Sequence, residues 1–338
     1  PMRVKFARKH RLEKKDPAAE MSEAVDPIVY YLDPGAPEPV RSALLEGAGW
    51  WNQAFEAAGY RNAFQVRMLP EGVDPMDVRY NVIQWVHRST RGWSYGSSVV
   101  DPRTGEILKG HVTLGSLRVR QDYLIAEGLL SPYSDSEYSD AMLEMSLARI
   151  RQLSAHEVGH TIGLEHNFAA SVNDRASVMD YPFPLIRFND SGELDLSEAY
   201  GVGIGDWDKR AITWGYQDFP EGADANESRA RIMEQTLASG LLFVADYDAR
   251  NVGTAHPQGN LWDNGANAID ELEHLKQVRA YALDRFSLNN IRVGRPAATL
   301  EEVLVPLYLL HRFQIQAAGK FIGGQFFHYN LRGDNQPF

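Results

Sequence analysis

Hydrophobic and polar positions follow two rhythms along this chain, and each change of rhythm marks an element. PIVYYLD (residues 27–33) is a short run of apolar, β-branched and aromatic side chains, which predicts a strand; PGAPEP then ends it. Over residues 40–60 the spacing becomes helical, with Leu44, Leu45, Trp51 and Phe55 on or near one face. AFQVRML (63–69) and NVIQWVHR (81–88) return to strand character. SSVVDPRTGEILKGHVTLGS (97–116) predicts a hairpin turning at Asp101, Pro102, Thr104 and Gly105. A long helical stretch then covers residues 139–163.

Beyond residue 220 the character changes. Helices are predicted over 226–248, 267–286 and 299–321, joined by turns rich in Gly, Asn and Pro. No internal repeat or low-complexity segment interrupts them. The pattern divides the chain into a basic N-terminal extension (1–24), a domain of strands and helices (25–220) and a mainly helical C-terminal region (221–338). The fold class is α+β.

Composition narrows the function classes. The chain has 338 residues, 44% hydrophobic and 23% charged, as in a soluble globular protein with a sizeable core. A formal net charge of −11 argues against a general nucleic-acid binder, which needs a basic surface. With no cysteine, disulfides, thiolate zinc sites and a cysteine nucleophile are excluded. No apolar run reaches the length of a membrane helix; VLVPLYLL (303–310) is among the longest. The N-terminal PMRVKFARKHRLEKK is basic with no apolar segment behind it, so it is not a signal peptide. It reads as a solvated extension or interdomain strand, and a start at Pro1 points to a piece of a longer precursor.

The candidate chemistry lies in HEVGHTIGLEHN (156–167). His156 and His160 are four apart, which on a helix stacks both imidazoles on one face, close enough to share a metal. Glu157 can reach a metal-activated water without being a ligand. Gly163 tolerates positive φ, so the chain can leave the helix sharply and bring His166 back. Three neutral imidazoles with an open fourth position make a catalytic Zn2+ site. The remaining histidines, His10, His87, His111, His256, His274, His311 and His328, form no such cluster and read as surface or core residues.

Downstream, SVMDYP (177–182) places Met179 thirteen residues after His166. Here the chain resembles the metzincin metalloproteases, whose HExxHxxGxxH pattern is followed by a methionine-containing turn beneath the zinc. His156, Glu157, His160, Gly163, His166 and Met179 occupy every fixed position of that pattern. The resemblance implies a twisted mixed sheet, an active-site helix and a Met-turn, followed by the helical region. It also implies that Tyr181, two residues after Met179, approaches the zinc and stabilises an oxyanion, and that Pro182, Phe183, Pro184 and Leu185 wall the specificity pocket. GHVTLGS (110–116) is similar to the metzincin edge strand that pairs with extended substrate, and GDWDKRAITWGY (205–216) to the last catalytic helix. EKKDP, PIVYYLDPG, DPRTGEIL and YLLHRFQIQAAGKFIGG are similar to a group of bacterial metzincins whose catalytic region follows an uncharacterised N-terminal domain. That likeness implies an upstream domain and a cell-envelope or secreted location. One departure stands out: many metzincins carry Asp or Glu after the third histidine, and this chain has Asn167.

The function expected is a zinc endopeptidase acting on extended or unfolded polypeptide, with metal-activated water and Glu157 as general base. A zinc amidohydrolase acting on a cell-wall peptide would share every motif. A non-enzymatic zinc-containing binding module is the third reading, and the intact Glu157 speaks against it, because a structural site needs no general base.

Overall fold

The computed structural model describes residues 5–88, 92–133 and 140–333. The first four residues of the basic segment, and Ser139 at the head of the predicted helix, lie outside the described residues.

In chain order the strands are β1 (Ser22–Glu23), β2 (Ile28–Leu32), β3 (Tyr60–Arg61), β4 (Phe64–Met68), β5 (Asn81–Val86), β6 (Tyr95–Val100), β7 (Ile107–Gly115), β8 (Arg187–Phe188) and β9 (Leu194–Asp195). Five of them form a mixed sheet in the order β4-β2-β5-β7-β6, parallel except for β6. Along β2, Ile28, Tyr30 and Leu32 are buried while Val29 and Tyr31 are half-buried, the alternation of a sheet covered more fully on one face.

That cover is helical. α1 (Val40–Gly49) and α2 (Trp51–Ala57) follow β2, broken at Trp50 where a single helix was predicted over 40–60. They pack on α4 (Ala141–Thr161), where the Trp51 indole donates to the Ala155 carbonyl at 2.7 Å and the Ser154 hydroxyl to the Leu44 carbonyl at 2.8 Å. α3 (Leu117–Leu130), between β7 and α4, has no counterpart in the predicted elements. α4 is the spine of the molecule. Its C-terminal half places Ile150, Leu153, Ala155 and Val158 in the core beneath the sheet with Leu44, Trp51, Phe55, Ile83 and Leu114. Its N-terminal half places Met142 and Met145 in a second core, with Leu129, Leu275, Val278 and Leu307.

After α5 (Asp206–Tyr216) come α6 (Ala225–Ala238), α7 (Asp246–Ala249), α8 (Ala268–Asp284), α9 (Leu300–Tyr308) and α10 (Arg312–Gly319). Residues 239–245, expected to be helical, are extended or turning: Gly240 takes φ +78°, and Val244 buries itself beside Phe168. The 299–321 stretch divides in two, with Pro306 inside α9.

Two further expectations are corrected. The edge beside the end of α4 is β6, not residues 110–116: β7 is bonded on both sides, to β5 and β6, whereas β6 alternates exposed and half-buried residues along the rim, and β4 is the opposite edge. The second is corrected only in part: Lys5, Arg8, Arg11 and Lys15 of the basic segment are exposed, while Lys9, His10 and Lys14 between them are tied to the domain. The Lys9 backbone forms a parallel β-bridge with that of Glu106, His10 is buried against Tyr30, and the Lys14 ammonium donates to the carbonyls of Ala19 and Glu20. Among the described residues no helix is long and apolar enough to cross a membrane.

Candidate metal centre

His156 and His160 stand on the last two turns of α4, their ring centres 4.9 Å apart. The helix ends at Gly163 with φ +107°, a conformation open to glycine, and the Arg8 carbonyl passes so close that a Cβ would stand 2.0 Å from it. His166 returns to the first two, and candidate ligand atoms of all three lie within 4.8 Å of one another.

The hydrogen bonds fix which nitrogens converge. His156 Nδ1 donates to the Val178 carbonyl at 2.7 Å, His160 Nδ1 to the Leu164 carbonyl at 2.9 Å, and His166 Nδ1 to the Asp246 carboxylate at 2.8 Å. Carbonyls and carboxylates only accept, so each Nδ1 carries the proton and each neutral ring keeps its Nε2 lone pair free. His160 Nε2 and His166 Nε2 face each other at 3.2 Å. Two lone pairs at that separation repel unless a cation lies between them, and a metal ion satisfies the set. Burial, then the neighbouring histidines, push His156 well below its ordinary pKa and His160 down to about 4. These imidazoles are therefore held neutral.

Glu157, one residue on from the first histidine, is 5% exposed. Burial pushes its carboxyl up to about 7, against the opposing pull of Arg149 and Gly96. β6 can lie this close because Gly96 has no side chain; a Cβ there would stand 2.2 Å from the Glu157 carbonyl.

Met179 is fully buried beneath α4, its sulfur against Gly159. The turn around it is clamped from α5: Asp208 accepts from the Ser177 hydroxyl at 2.5 Å and from the backbone N–H groups of Val178 at 2.8 Å and Gly205 at 3.1 Å. Tyr181 follows, with its ring centre 4.7 Å from that of His166 and 5.4 Å from that of His156. Its hydroxyl accepts from Arg250 Nη2 at 3.2 Å, which leaves its own proton available to donate.

Of the four residues expected to wall a pocket, Phe183 and Pro184 are buried, Phe183 within the second core. Pro182 and Leu185 line a cavity of about 380 Å³ bounded by Ser177, Val178, Asp180 and Tyr200, which includes none of the three histidines.

Residues without a motif complete the centre. Asp246 and Arg250, four apart and ion-paired at 2.6 Å, come from the C-terminal region to hold His166 and Tyr181. An acid–base pair at that spacing is the only trace they leave in the sequence, and many exposed helices carry one. Asn167, where an acid was expected, is fully buried: its amide donates to the Leu242 carbonyl at 2.8 Å and accepts from the N–H groups of Ala169 and Val244, each at 3.2 Å. A carboxylate could accept the latter two but could not donate the first.

No curated protein and no solved structure matches this chain. A family model described as Met-zincin matches residues 139–338, which takes in α4, the three histidines, the Met179 turn and the whole C-terminal region. The family implies zinc and peptidase chemistry, and the histidine cluster is placed to hold the ion. The chain belongs to the Met-zincin family of zinc metallopeptidases.

Proposed function

We propose that this protein is a zinc endopeptidase that cleaves extended or unfolded polypeptide, with Glu157 as its general base. The observation that carries the reading is the commitment of all three Nδ1 atoms, which turns three Nε2 lone pairs onto one point beside a buried carboxyl. His156, His160 and His166 would hold the zinc, which would supply Lewis acidity for the scissile carbonyl and for the attacking water. Glu157 takes the proton from that water and hands it to the leaving amine. The Tyr181 hydroxyl, held through its oxygen by Arg250, donates to the oxyanion that develops on the substrate. Met179 packs beneath the centre and touches no substrate.

The edge strand supplies the substrate track. β6 is antiparallel to its neighbour, lies against α4 at Glu157 and His160, and leaves Tyr95 and Val99 about half exposed. An extended peptide can add to it as a further strand, with main-chain bonds that a compact domain cannot offer.

The test is cleavage of a peptide library, and of one protein in folded and unfolded forms, by the zinc-loaded chain. Cleavage should be chelator-sensitive, faster on the unfolded form and lost in Glu157→Ala. Equal rates on both forms would remove the strand-addition step, and chelator-resistant cleavage would remove the zinc mechanism.

A further inference from the structure

Near Glu157 lies a pair of guanidiniums whose charge the surroundings only partly compensate. Arg149 sits on α4 seven residues before His156, two helical turns away, and is 3% exposed. Arg118 opens α3, its side chain 20% exposed. Among the described residues, the acids that act on the pair are Asp122 and, on Arg149, Glu157. Asp122 is engaged through one oxygen, accepting from Arg118 Nη2 at 3.1 Å and from the Tyr200 hydroxyl at 2.7 Å, and among the described residues its other oxygen is buried without a donor. Arg149 Nη1 donates to Gln152. Among the described residues the Nε–H groups of both arginines are buried without an acceptor, a state that folded proteins seldom leave uncompensated.

The third member is Trp262. Its φ is +61°, a region that a bulky L-residue enters only at a cost, and such strain concentrates at functional sites. The indole centre lies 5.0 Å from the Tyr181 ring, and the guanidinium carbons of Arg118 and Arg149 lie 5.6 and 6.0 Å from that same indole. One side chain thus links the metal centre to the two arginines. A planar carboxylate matches their donor forks and would supply the acceptor that both Nε–H groups lack.

We propose that Arg118, Arg149 and Trp262 form a subsite for a substrate carboxylate on the leaving-amine side of the scissile bond. The inference rests on the peptidase reading above. The side follows from the helix: Glu157, which serves the leaving amine, stands on α4 eight residues after Arg149, just over two turns away. The carboxylate belongs either to an acidic side chain in mid-chain or to the free end of a short product, and these two sources are separable.

The experiment compares peptides that differ only in the residue after the cleaved bond. One pair carries Glu or Gln there within a longer chain; a second pair ends there, as free acid or as amide. For the zinc-loaded protein, kcat/KM should favour Glu over Gln by roughly tenfold or more, the scale of a charge-assisted bond made in a confined site. Arg118→Gln should bring that ratio close to one, and Arg118→Lys, which keeps charge but loses the fork, should retain part of it. The readout is a ratio within each protein, so it stands even where a variant loses stability, and the wild-type ratio needs no variant. Kd for the same peptides on the zinc-loaded Glu157→Gln chain should show the same order without turnover. A preference confined to the free acid over the amide supports the subsite and assigns it to chain ends. Equal values within both pairs overturn the subsite while leaving the peptidase intact. No cleavage of any peptide overturns the peptidase reading, and the subsite with it.

Discussion

Two stretches of chain build the metal centre, and they contribute in opposite ways. Residues 156–166 supply the three imidazoles and Glu157 from one helix end and the turn behind it. Residues 242–250 supply no ligand, yet Asp246 holds His166, Arg250 holds Asp246 and Tyr181, and Leu242 and Val244 bond to Asn167. The first stretch is local because helical geometry sets the spacing of His156 and His160. The second is remote because an acceptor for one Nδ1 can arrive from any direction; Asp246 arrives from 80 residues away. The two regions also hold the histidines by different means. His156 and His160 donate to backbone carbonyls that no substitution removes, whereas His166, off the helix, depends on a side chain. His166 is therefore the ligand whose orientation a single remote mutation can loosen.

The largest expected effect falls in the first stretch and separates chemistry from metal binding. Glu157→Gln keeps the shape of a residue that is not a ligand, so zinc content should stay near one per chain. Cleavage should fall by roughly 10²–10⁴-fold, the usual contribution of a general base. Near-normal turnover alongside bound zinc would remove Glu157 from the mechanism.

Tyr181→Phe tests the join between the two stretches, because its hydroxyl is the atom that Arg250 reaches. The ring contacts with His156, His166, Phe168 and Trp262 remain. Loss of an oxyanion donor should lower kcat by up to about 10²-fold, with KM little changed, since the bond strengthens only in the transition state. An unchanged kcat with a lower melting temperature would make Tyr181 a packing residue.

Asp246→Ala addresses the second stretch alone. Removing the carboxylate behind a metal-binding histidine typically costs about 10–100-fold in metal affinity. Competition with a chelator of known affinity should show that loss in the variant. Unchanged affinity would mean that the turn by itself orients His166.

The same contrast explains what could be read in advance. The α4 helix, the histidine cluster and the strands of the sheet were legible because each follows a short-range period. α3 was not, because its buried positions are Asp122, Ala126, Gly128 and Leu129, which make no apolar stripe. Its buried acid, Asp122, answers Arg118 one turn back and Tyr200 far away, a reason invisible at the level of periodicity. The edge strand was misplaced because a hairpin sequence does not state which arm meets the rest of the sheet, and only pairing with β5 decides which arm lies inside. Residues 239–245 left the helix because Gly240 turns the chain and Asn167 takes Leu242 and Val244 as partners.

The smallest expected effect concerns stability rather than rate, at the clamp on the Met179 turn. Asp208 is fully buried, and burial pushes its carboxyl up to about 7 despite the bonds from Ser177, Val178 and Gly205 that favour its charge. Unfolded, the same group releases its proton near its ordinary 3.8. Between those values the folded chain holds a proton that the unfolded chain has lost, so this group's contribution is largest below about pH 4. It declines as pH rises and levels off above about 7. Asp208→Asn cannot titrate, and its amide keeps an oxygen for part of the clamp. Measured by urea midpoint at matched zinc saturation, wild type should therefore lose stability relative to Asp208→Asn between pH 4.5 and 7.5, by about 1–3 kcal/mol, the scale of one buried polar group left poorly satisfied. The opposite trend, wild type gaining on the variant as pH rises, would show that the three donors dominate burial and that the turn is clamped by a carboxylate anion.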